Sequence, residues 1–82
     1  MKKMTKEQFI DWATSRGWRK DKYGHLQKDV KGEAFRFKIS KTSVRNEKKI
    51  YFDKGSEWLR LRSGYFKNLS ISPEGKLRGL RP

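Results

Sequence analysis

Apolar side chains change period once along this chain, near Trp18. Before it, Phe9, Ile10, Trp12 and Ala13 share one face at helical spacing, leaving Lys6, Glu7, Asp11 and Arg16 mostly for water. Thr5 and Gln8 have the spacing of a capping box, and Gly17 stands where a glycine ends a helix. The pattern therefore predicts a helix from about Thr5 to Arg16. After Trp18 the period becomes two, with turn signals at Tyr23-Gly24, Lys31-Gly32, Asp53-Lys54-Gly55, Ser63-Gly64 and Pro73-Glu74-Gly75.

The clearest strand is Ala34 to Ser40, where Phe35, Phe37 and Ile39 alternate with Arg36, Lys38 and Ser40. A second runs from Glu57 to Arg62, with Leu59 and Leu61 inward and Trp58, Arg60 and Arg62 outward. Lys48 to Phe52 should join it through a hairpin at Asp53-Lys54-Gly55-Ser56, placing Ile50 and Phe52 inside and Lys49 and Tyr51 outside. Asn46-Glu47 reads as the reversal from a preceding strand around Ser43 to Arg45. Leu69 and Ile71 before Ser72-Pro73-Glu74-Gly75, and Leu77 after it, read as a last short hairpin. The termini, Lys2-Lys3 and Arg81-Pro82, are expected to fray.

These elements predict an α+β domain in which an N-terminal amphipathic helix packs on one face of a small antiparallel sheet of about five or six short strands. The expected core is Phe9, Ile10, Trp12, Ala13, Trp18, Leu26, Phe35, Phe37, Ile39, Ile50, Phe52, Leu59, Leu61, Leu69, Ile71 and Leu77, with Phe66 inside. Eighty-two residues allow one core, so residues 1–82 are read as a single domain. Aromatics at 13% are too many for a solvated tail.

Composition adds two constraints. The absence of cysteine excludes disulfides and thiolate metal sites and suits a reducing compartment, so a cytoplasmic location is expected. No apolar run approaches the length of a membrane span, and Met1-Lys2-Lys3 leads into a mixed polar stretch that lacks a signal-peptide core. Charge changes the picture most. Twenty-two Lys and Arg against nine Asp and Glu leave +13, far beyond what solubility requires. Such a field attracts polyanions, nucleic acid foremost, through release of condensed counterions.

The sheet face turned away from the helix is therefore the candidate binding surface. Its contact residues are Arg36, Lys38, Lys49, Tyr51, Trp58, Arg60 and Arg62, extended by Tyr65 and Lys67 beside the following loop. Cations track phosphates while rings stack on bases, a combination suited to single strands; duplex could use the same arginines without stacking. In the structural alternative, Arg stems cover Trp58 and Tyr51, and the rings only shield the sheet. The helix lacks the cluster of Arg, Asn and Gln expected of a recognition helix, so low to moderate sequence specificity is expected. An acidic protein partner, in a phage, toxin–antitoxin or inhibitor setting, would satisfy the same charge. No catalytic residue, metal site or cofactor is expected: the single histidine, His25, has no cysteine to pair with, and the carboxylates and glycines are scattered.

An N-terminal helix ending at Gly17-Trp18, then Gly24-His25 and a strand pair, resembles the first half of the HicA-type mRNA interferase toxins. That resemblance implies a double-stranded-RNA-binding-like fold and a ribonuclease activity centred on His25. The serine of the family's Gly-Ser-His motif is missing here, and residues after Tyr51 read as strands where the family has a second helix.

Overall fold

A computed structural model describes residues 4–82; Lys2-Lys3 lie outside the described residues. Helix α1 spans Lys6–Ser15, and both halves of the capping box form. The Thr5 N–H donates to Gln8 Oε1 at 2.9 Å, and the Gln8 N–H donates to Thr5 Oγ1 at 3.1 Å. These bonds satisfy donors that a helix start leaves without partners. The Arg16 and Trp18 N–H groups close the other end on the Ala13 carbonyl, and Gly17 turns the chain at φ +95°.

Five strands follow: β1 (Arg19–Lys20), β2 (Leu26–Val30), β3 (Glu33–Ile39), β4 (Ser43–Phe52) and β5 (Gly55–Tyr65). They form one antiparallel meander in chain order. A 3₁₀ turn at Phe66–Asn68 then leads to a separate hairpin, β6 (Ser70–Ile71) and β7 (Leu77–Arg78). Lys31 and Gly32 link β2 to β3, both at positive φ, the geometry whose twist matches the flanking strands.

Alternation places Leu26, Phe37 and Val44 on the face under α1, where Phe9 and Ala13 close over them and Phe66 and Leu69 seal the side. Phe9 packs edge-on against Phe37 with ring centroids 4.9 Å apart. Trp12 ties the helix to the C-terminal hairpin, its Nε1–H donating to the Gly75 carbonyl at 2.9 Å. The sheet is thus covered on one side and open on the other, as the sequence pattern predicts.

Four expectations about the elements require correction. Ser63-Gly64 makes no turn and lies within β5, paired with Arg45 and Val44. Asn46 and Glu47 make no reversal; β4 runs through them without a break, and Val44, absent from the expected core, is buried. The β4–β5 turn is tighter than expected, since Gly55 already pairs with Phe52 and only Asp53 and Lys54 lie between. The core is also shorter. Phe52 and Leu59 are 55% and 47% exposed, and Phe35, Ile50 and Leu61 are only half-buried. Ten helical residues reach about 15 Å, whereas ten residues of β4 reach about 34 Å. The helix therefore covers one end of the sheet, and the β4–β5 hairpin projects beyond it, giving the molecule its 47 Å long dimension.

Candidate functional site

On the open face, strand pairing fixes which side chains stand together, because directly paired residues share a face. Along β3 these are Arg36 and Lys38; along β4, Ser43, Arg45, Glu47, Lys49 and Tyr51; along β5, Trp58, Arg60, Ser63 and Tyr65. Of the nine residues proposed from sequence, seven are gathered on this face: Arg36, Lys38, Lys49, Tyr51, Trp58, Arg60 and Tyr65. Lys67 stands beside it on the 3₁₀ turn, with Nζ 5.9 Å from the Tyr65 ring.

Arg62 does not join them. The β4–β5 pairing slips between Asn46 and Glu47, so that Asn46 faces Arg62 but Glu47 faces Arg60, leaving Leu61 as an extra residue in β5. The bulge reverses the alternation, and Arg62 lines a hollow on the helix side with Trp12, Phe37 and Leu77. A strict period of two cannot anticipate this, since one inserted residue moves every side chain beyond it to the other face.

At the centre of the open face lies Glu47, the one carboxylate among the facing positions of β3, β4 and β5, and it is buried. Arg36 donates to its Oε1 from both Nε, at 2.9 Å, and Nη2. Arg45 stands 3.7 Å from Oε2. The Arg36 guanidinium also lies 4.4 Å from the centre of the Trp58 ring, with Lys49 Nζ 5.7 Å away. Arg36 and one side of Trp58 are thus committed within the protein, as the shielding alternative expects. The most exposed rings of the face are Tyr51 and Tyr65, 70% and 56% exposed, each with a lysine ammonium near one side.

Two further cations stand on this face, although the sequence pattern puts Arg45 in a short strand before a turn and Arg81 in a fraying tail. In the structure Arg81 and Ser63 exchange backbone hydrogen bonds of 2.8 and 2.9 Å, which aligns Lys38, Arg45, Ser63 and Arg81 in one row across the sheet. No local signal marks a tail residue as the partner of a strand edge 18 positions earlier. Gly79 permits the approach: its φ is +110°, and a Cβ there would sit 2.5 Å from the Asn68 carbonyl oxygen.

His25 is tied to the framework. Its Nδ1 accepts the Ile39 N–H at 2.9 Å, while its backbone N–H donates to Asp21 Oδ1. Asp21 also accepts from the Tyr23 N–H and Gln27 Nε2. Slight burial works against ionisation of Asp21, but these hydrogen bonds and neighbouring His25 outweigh it and hold its carboxyl below the ordinary value. Among the described residues no cluster of His, Asp and Glu could hold a metal ion, and no helix is long and apolar enough to cross a membrane. The second helix implied by the toxin-like first half is absent; β5 occupies that stretch.

Compared with known proteins, the chain matches no family model, and no curated protein or solved structure shows significant similarity to it.

Proposed function

We propose that this protein is a non-enzymatic nucleic-acid-binding module that works in the cytoplasm and contacts its ligand along the open sheet face. One observation carries the reading: Lys38, Arg45, Lys49, Arg60 and Arg81 share that face with two exposed tyrosines, and the one carboxylate among the facing positions of β3, β4 and β5 is buried and already paired, leaving Asp29 on β2 as the exposed acid of the face. A surface so arranged offers cations to phosphates and rings to bases. Tyr51 and Tyr65 are separated by about eight strand positions, or about 27 Å, so a strand lying along β4 would meet a ring at each end. The cations and serine hydroxyls of the face suit phosphate oxygens, which carry no sequence information, and this favours low to moderate sequence specificity.

Binding of short single-stranded and duplex oligonucleotides, measured over a salt series, tests the reading. Five phosphate contacts predict a log–log slope of about −3.5 for single strands. Tyr51→Ala should weaken single strands by about 1 to 3 kcal/mol and leave duplex nearly unchanged. The second reading is an acidic protein partner, favoured by exposed Phe52 and Leu59 on the other side of the projecting hairpin. Absence of oligonucleotide binding at low salt would select it.

A further inference from the structure

Lys38 and Arg45 are directly opposed across β3 and β4, the one like-charged pair among the partners of the five-stranded sheet. Like charges in that position destabilise a sheet. The pair is only partly relieved: no carboxylate lies within salt-bridge distance of Lys38 among the described residues, and Arg45 has only a 3.7 Å approach to Glu47, whose other oxygen holds Arg36. Between them opens a hollow of about 280 Å³, also lined by Ser40, Ser43, Ser63 and Tyr65. Two cations and four hydroxyls converge there, and no carboxylate lines it. The β3–β4 turn bounds one end, since Ser40 and Ser43 are joined by a 2.9 Å hydrogen bond between their backbones.

The geometry points to a binding site for a phosphomonoester at this hollow. A dianion between Lys38 and Arg45 removes their repulsion, and its three terminal oxygens can take charge-assisted hydrogen bonds from both and from the serine hydroxyls. A diester inside a strand has two such oxygens and must leave on both sides, which the turn obstructs. The group that fits is the terminal phosphate of a strand, with Tyr65 beside it for the adjoining base, or the phosphate of a free mononucleotide. The strand-end form rests on the nucleic-acid reading; the phosphate site itself does not.

Two measurements separate these. Nucleoside monophosphate, added while backbone amide resonances are followed, should shift Ser43, Arg45 and Ser63. Oligonucleotides phosphorylated at the 5′ or 3′ end should bind about tenfold tighter than hydroxyl-ended ones at one of the two ends. Lys38→Met should abolish both effects and raise the melting temperature, because it removes the repulsion; Lys76→Ala, on the C-terminal hairpin, should abolish neither. A monophosphate shift without oligonucleotide binding would support the phosphate site and overturn the nucleic-acid reading. Oligonucleotide binding indifferent to end phosphates, with no monophosphate shift, would overturn the phosphate site alone.

Discussion

Arg36 shows how a residue can sit where its pattern says and still be unavailable. Its guanidinium is held by Glu47 and lies over Trp58, so its charge is balanced at short range. Glu47→Gln keeps the shape, removes the balancing charge and leaves Arg36 partly buried without a counter-ion. Stability should fall by about 1 to 3 kcal/mol, while oligonucleotides bind more tightly because Arg36 is released toward them. Thermal denaturation and titration of one preparation check both directions, and weaker binding would contradict the assignment of the face. Asp21 works through its charge as well. Its folded-state pKa lies below the ordinary value of 3.8, so its contribution to stability is present above that value and is lost as pH falls through the lower one. Asp21→Asn should therefore be less stable than wild type at neutral pH and lose less stability between about pH 5 and pH 3, as denaturant titrations would measure. The outward position of Arg36 was legible in the alternation of β3. Its pairing was not, because Glu47 lies in a polar stretch of β4 that carries no alternation and reads as a turn.

At the scale of elements, a short helix on a long hairpin explains both the correct and the incorrect expectations. Helix α1 was legible to its caps, since capping depends on residues three or four apart. The extent of the core was not, because alternation marks Ile50, Phe52 and Leu59 as a face without saying whether anything reaches far enough to cover it. The bulge at Leu61 is a property of two strands together, and it moved Arg62 away from the site. The tail is the other element decided by close approach. Gly79→Ala places a methyl group against the Asn68 carbonyl and the Leu69 backbone at a positive φ, and should destabilise the fold by more than about 1 kcal/mol. It should also displace Arg81 from Ser63. A change in the Arg81 and Ser63 amide signals beyond that at the far β2–β3 turn is the expected observation.

For the molecule as a whole, a charge of +13 on 82 residues acts in opposite directions on folding and on binding. Self-repulsion opposes the compact state and is screened by salt, while phosphate contacts are weakened by the same salt. Raising ionic strength from about 0.05 to 0.3 M should therefore raise the melting temperature and lower oligonucleotide affinity. A melting temperature that falls over this range would place the dominant electrostatics in attractive pairs instead, with Arg36–Glu47 and Lys48–Glu33 the first to examine.

Local patterning along the chain suffices for the class of the fold, the capped helix and the division of β3 into an apolar and a basic side, all of which depend on neighbours within a few positions. Tertiary structure decided which cations meet. Arg45 and Arg81 reach Lys38 through strand pairing and a tail return, and Arg62 leaves the face through a single inserted residue. Pairing between distant segments depends on register and on the reach of covering elements, and neither is written in the local alternation of side chains.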